Sequence, residues 1–285
     1  MGDKENTSTD WGLTNGKGYI LNRDRGHAAA CRLNLQFYLW KDALKFNIHP
    51  SILPTLPVQA SIVDVAAGSG IWLVDVSRQL PDARLDGLDY DLRQAPHANF
   101  LPPSVKMSRW NVFDDVPEDL VGKYDYVHTR LLLLVVESQD PRPVLRNLLK
   151  LLKPGGYLQW DELDTVHTAV QKADPSVQAP ALEGLAEWSM AAGRHDWTVR
   201  LADFATEVGF QGAKSDFFGD GPEIARAFTE QHLLTAEEFA NGLARLGKLE
   251  AAEKYYRLVE QGYEECAAGA ALCVPRLVCV AQKPL

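Results

Sequence analysis

Apolar positions along the chain change period several times, and each change marks an element. Ala30, Leu33, Phe37, Trp40 and Leu44 recur at three- and four-residue steps, which predicts an amphipathic helix over about 27–46. Pro50, Pro54 and Pro57 break the chain before an apolar run at 61–65, short enough for a buried strand. A helix over 71–80 ends at Pro81. Further strands are predicted at 84–89, 105–110 and 124–129. Leucines at helical spacing give a helix over 141–152, which Pro154-Gly155-Gly156 stops before a strand at 157–160. Strands that alternate with helices predict a parallel sheet covered on both faces.

The last third has a different rhythm. A helix near 197–208 leads through Gly209-Phe210 to a strand at 213–218. Two helices follow. The first is predicted to start at Thr235, with Glu238 three residues on completing a capping box. The second carries Leu249, Ala252, Tyr256, Val259 and Tyr263 on one face. An apolar run at 275–281 reads as a final strand. Residues 1–16 have no apolar period and read as a disordered tail.

One junction carries chemistry. Val63-Asp64-Val65-Ala66-Ala67-Gly68-Ser69-Gly70-Ile71-Trp72 is a strand, a glycine turn and the start of a helix, and Asp89 closes the next strand. Glycines let a ligand approach the backbone, and the helix offers free N–H groups and a positive dipole end. A carboxylate at a neighbouring strand tip accepts ribose hydroxyls. The three together predict a nucleoside-containing ligand at the carboxyl edge of the sheet. A dinucleotide turn needs a third glycine, and Leu73 stands there instead. The turn suits a smaller group, such as the amino-acid end of S-adenosylmethionine (SAM).

Composition narrows the class. The chain has 285 residues, 46% of them apolar and 24% charged, as in an ordinary globular protein. A net charge of −9 argues against nucleic acid or an anionic membrane as partner. No apolar run reaches the length of a membrane span, and residues 1–10 lack the apolar core of a signal peptide. Four cysteines without metal-like spacing read as free thiols in a reducing cytoplasm.

These motifs resemble the class I SAM-dependent methyltransferases. The likeness rests on Val63–Gly70, on Asp89, on Leu152-Lys153-Pro154-Gly155-Gly156-Tyr157-Leu158 before strand five, and on the closing strand pair. A narrower likeness, to the LaeA-like fungal secondary-metabolite methyltransferases, rests on Gly18–Arg23, Arg32–Gln36, Ala66–Trp72 and Tyr124–Arg130. The resemblance implies a Rossmann-like α/β fold, with a seven-stranded, mostly parallel sheet and an antiparallel last strand. It implies a helical lid over 17–57 and a SAM-binding domain over 58–285 with a helical insertion near 222–268. It also implies a small-molecule acceptor, methylated on oxygen or nitrogen, and a monomer or homodimer. Some members of the group are regulators, so a methyltransferase fold that binds SAM for regulation or for a rearrangement is the alternative.

Roles follow residue by residue from the resemblance. Ala66, Gly68 and Gly70 are expected along the methionine part of SAM, Asp89 at the ribose and Tyr90 over one adenine face. Asn111 and Val112 fall where the family contacts the adenine edge, with a plain turn residue as the alternative for Asn111. Tyr19 resembles a lid tyrosine, or packs the N-terminal segment. Methyl transfer needs alignment, exclusion of water, and a base only for a protonated acceptor. His128, Asp161 and Glu162 are the candidates for that base. The alternatives are a strand histidine and two loop carboxylates. Arg130 stands where catechol-type relatives place a metal-ligating carboxylate, so no metal site is expected. It binds the SAM carboxylate or an acidic acceptor, or forms a structural ion pair. His167, His195 and His232 have no predicted place.

Overall fold

Residues 26–136, 140–190 and 193–285 are described by the computed structural model. The expected alternation is present. Strands β1 (Ser61–Val65), β2 (Arg84–Asp89), β3 (Val105–Arg109), β4 (Tyr124–Arg130) and β5 (Leu152–Leu163) run parallel. Strand β9 (Arg276–Gln282) enters antiparallel between β5 and β7 (Gln211–Phe218). The order is β3-β2-β1-β4-β5-β9-β7, the sheet that the resemblance implies.

Two apolar layers enclose it. On one face Val63, Val127, Leu158 and Trp160 pack on α3 (Arg142–Leu151) and α5 (Leu201–Glu207). On the other, Ile62, Tyr126 and Val278 pack on α1 (His27–Leu44) and α2 (Ile71–Gln79). Adjacent strand residues face opposite sides, so one strand serves both layers. A third cluster joins α4 (Pro180–Met190), α6 (Pro222–Arg245) and α7 (Leu249–Ala267) to β8 (Ala270–Cys273). A second, two-stranded sheet pairs β8 with β6 (Ala169–Lys172).

Several expectations need correction. Strand β5 does not begin after the Pro-Gly-Gly turn. It spans Leu152–Leu163, with a register shift against β4 where the glycines lie. Asp161 and Glu162 are therefore strand residues. The helix expected to begin at Thr235 is the second half of α6, which begins at Pro222 after Gly221. Thr235 Oγ1 donates back to the Gln231 carbonyl at 3.1 Å, and Glu238 pairs with Arg32 at 2.6 Å instead of capping. The helix near 197–208 is a 3-10 turn over Asp196–Arg200 followed by the short α5. On α7 the buried aromatic is Tyr255, while Leu249 and Tyr263 are exposed. The N-terminal tail, most of the lid before α1, and Tyr19 lie outside the described residues.

Candidate functional site

The carboxyl ends of β1, β2 and β4 open into a cavity of about 930 Å³. Helix α1 forms one wall through Arg32, Leu33, Gln36 and Phe37. The other wall is α6, through Gln231, His232 and Thr235. The walls come from the expected lid segment, 17–57, and the expected helical insertion near 222–268.

The glycine turn forms one end. Ala66, Gly68 and Gly70 have φ of 59°, 54° and 69°. That left-handed geometry is easy for glycine and strained for Ala66, and strain of this kind gathers at functional sites. Gly70 caps α2, so the helix begins at the cavity. Asp89 is buried at the tip of β2. Its Oδ2 accepts the Gly68 N–H at 2.8 Å and its Oδ1 accepts the Asp91 N–H at 2.8 Å. The carboxylate is thereby held beside the turn.

Tyr90 and Asn111 also line this end. The Tyr90 ring is half exposed, with the Arg109 guanidinium 5.4 Å from its centre. Asn111 has the turn geometry given as its alternative: Oδ1 accepts the Phe113 N–H at 3.2 Å and Nδ2 donates to Asp114 at 3.3 Å. Val112 is buried, and its carbonyl accepts Asn147 Nδ2 at 2.9 Å.

The floor is a polar stripe across three strands. Asp64 lies opposite His128, His128 opposite Gln159, and Arg130 opposite Asp161. His128 Nδ1 meets Asp64 at 2.7 Å and Nε2 meets Asp161 at 3.2 Å. Arg130 reaches Asp161 Oδ2 through Nε at 3.0 Å and Nη2 at 2.6 Å. Gln159 Nε2 donates to Asp161 Oδ1 at 2.8 Å. Trp72 stacks on the imidazole with centroids 4.1 Å apart and planes 2° apart. The Arg130 guanidinium lies 4.8 Å from the centre of the Trp40 ring.

These contacts tie the candidate bases His128 and Asp161 to one another and to Asp64 and Arg130. Burial works against a charged His128, but the Asp64 and Asp161 carboxylates outweigh it and raise the pKa. A carboxylate lies at each ring nitrogen, which favours the protonated form of the ring. Burial likewise works against a charged Asp161, yet Arg130 and His128 hold its pKa down. Both residues belong to an ion network under the cavity. The pairing of Arg130 with Asp161 is the structural ion pair given as one alternative.

Glu162 lies behind the cavity wall. Its Oε2 accepts the Leu133 N–H at 3.0 Å and Trp160 Nε1 at 3.3 Å, and its Oε1 accepts the Leu163 N–H at 3.0 Å. Burial pushes its pKa up to about 8 from 4.5. The folded state therefore prefers the neutral acid. Its contribution to stability is complete below 4.5 and is lost as pH rises through about 8. Thermal stability should fall between these values, and Glu162→Gln should flatten the fall. Parallel melting curves of the two proteins against pH check this, and parallel slopes would remove Glu162 from the effect.

Sequence reasoning missed Asp64, Trp72, Gln231 and Thr235. His232 lines the cavity, whereas His167 is exposed against Asp164 and His195 is buried elsewhere. Among the described residues no cluster of His, Cys, Asp and Glu is arranged to hold a metal ion. Among the same residues no helix is long and apolar enough to cross a membrane.

Residues 34–215, which carry the turn, Asp89 and the stripe, match the model of the methyltransferase domain family. The chain belongs to this family. It is 40% identical over 148 residues to methyltransferase grgD from a Penicillium species, covering 49% of this chain and 50% of that protein. It is 26% identical over 180 residues to N-methyltransferase tcpN of Claviceps purpurea, covering 62% of this chain and 64% of that one. It is 30% identical over 105 residues to the secondary metabolism regulator laeA of Gibberella zeae, covering 36% of this chain and 32% of that one. The chain thus spans less than two thirds of the length of these relatives. The likeness to fungal secondary-metabolism methyltransferases read from the sequence is borne out.

Proposed function

We propose that this methyltransferase-family chain transfers the methyl group of SAM to a nitrogen or oxygen of a small molecule. The observation that carries the reading is the Asp89 carboxylate, fixed by the Gly68 N–H at the mouth of a cavity of about 930 Å³. That volume is at the upper end for small-molecule sites, enough for a cofactor and an acceptor together.

The residues present fit SAM. The left-handed turn leaves the backbone open to its amino-acid end, and the start of α2 favours a carboxylate there. Asp89 would hold the ribose hydroxyls, with Tyr90 and the 110–113 segment at the adenine. When bound, SAM supplies an electrophilic methyl carbon on a sulfonium. The protein aligns the acceptor and excludes water, for which α1 and α6 are placed. With His128 and Asp161 committed to the ion network, the reading favours an acceptor atom that has a lone pair near pH 7 without a base. A neutral nitrogen meets that requirement. The relative named an N-methyltransferase supports nitrogen as well.

Incubation with methyl-labelled SAM and a metabolite extract, read by mass spectrometry, tests the reading. Transfer of label to a small molecule is expected, and SAM binding with no transfer to any of them would contradict it. Arg130, a cation paired with Asp161, cannot ligate a metal. Labelling should therefore survive excess EDTA. Loss with the chelator and recovery with magnesium would overturn that expectation.

A further inference from the structure

Gln231 is 1% exposed and lies on the α6 wall of the cavity, yet its Oε1 has no hydrogen-bond partner among the described residues. Buried polar atoms are nearly always partnered, so an orphan at a binding cavity points to a ligand group that completes it. The amide's orientation is fixed by its neighbour. Thr235 donates its hydroxyl proton to the Gln231 main-chain carbonyl at 3.1 Å. Its oxygen can then only accept, and it takes Gln231 Nε2–H at 3.0 Å. The amide nitrogen therefore faces Thr235, and Oε1 is left as an acceptor in need of a donor.

His232 repeats the pattern one residue on. It also lines the cavity, and its Nε2 has no hydrogen-bond partner among the described residues. The ring is kept neutral: burial, then the nearby Arg276 cation, push its pKa down to about 4. Arg276 is itself fully buried, paired with Asp220 and set against the Phe228 ring at 3.9 Å. A positive acceptor would thus meet a fixed cation behind a neutral ring. The cavity also has apolar lining, from Leu131, Leu132, Leu133, Leu134, Val135 and Leu163.

We propose that Gln231 and His232 form the acceptor-recognition subsite, and that it takes a neutral molecule with an apolar body and one N–H donor directed at Gln231 Oε1. This rests on the methyl-transfer reading and names the acceptor chemistry for it. Gln231 and His232 are specificity-determining residues here. Neither takes part in bond making.

Indole and 1-methylindole are suitable probes, since they share an apolar ring and differ in a single N–H donor. In protein saturated with S-adenosylhomocysteine (SAH), indole should bind about tenfold more tightly than 1-methylindole, the size of one hydrogen bond to a buried acceptor. Gln231→Leu should reduce that preference to about twofold or less while SAH affinity is unchanged. Gln231→Met, unbranched and a good helix former, gives the same reading if the leucine variant folds poorly. Equal binding of the two probes to the unaltered protein would overturn the proposal. So would a preference that persists in both variants, or no binding of either probe. Failure of SAH to bind the unaltered protein would instead contradict the methyl-transfer reading, and the same probe comparison without SAH would still decide the subsite.

Discussion

Replacing Asp89 with alanine should weaken SAH binding by ~1.5–3 kcal/mol, about 10- to 150-fold, the usual loss for charge-assisted hydrogen bonds. The reason is geometric. The carboxylate is buried and held by the N–H groups of Gly68 and Asp91, each at 2.8 Å, so it binds ribose hydroxyls without reorganising. Its loss also frees the turn that faces the amino-acid end of the cofactor. Asp89→Asn separates the two effects. It keeps one oxygen acceptor but loses the charge, and should fall between the wild type and Asp89→Ala. Calorimetric titration with SAH checks the series, with circular dichroism to confirm that each variant folds. Equal affinity in wild type and Asp89→Ala would remove Asp89 from the ribose role.

The second large effect concerns stability. Asp161→Ala should destabilise the fold by about 3–5 kcal/mol, because it leaves the Arg130 cation and the His128 ring buried without their shared carboxylate. For a domain of this size that corresponds to a melting point about 6–20 °C lower. Asp161→Asn preserves the shape and the contact with Gln159, and should cost less. The pH dependence has a definite sign. The His128 pKa is raised, so its contribution is full below the unfolded value of 6.5 and is lost as pH rises through the folded value. The Asp161 pKa is lowered, so its contribution is full above 3.8 and is lost as pH falls. The difference between wild type and Asp161→Ala should therefore be greatest between 3.8 and 6.5. Melting curves across this range test both size and sign, and a shift under 2 °C would show that the network contributes little.

Much of the fold was legible because short apolar runs and helical leucine spacing are local signals. β1, β2 and α2 stand where the pattern put them, and so does the glycine turn with Asp89 beside it. The polar stripe was not legible. Asp64, His128 and Asp161 lie far apart in sequence, and only the strand order β1-β4-β5 and its register set them side by side. The signal was present in part. Ile62 and Asp64, Tyr126 with His128 and Arg130, and Gln159 with Asp161 share one face by the two-residue alternation of strands. The capping pattern Thr235-x-x-Glu238 misled because local hydrogen-bonding residues also occur inside long helices, where tertiary partners such as Arg32 claim them. Gln231 carries no sequence signal. Its significance comes from an orphaned oxygen that only the packed structure reveals.

A crystal structure of the full chain grown with SAH tests the central claim most directly. The account predicts the ribose hydroxyls within hydrogen-bond distance of the Asp89 carboxylate, the amino-acid end along Ala66–Gly70, and the sulfur facing the space between α1 and α6. SAH bound with its ribose away from Asp89, or absent from this cavity at saturating concentration, would contradict it.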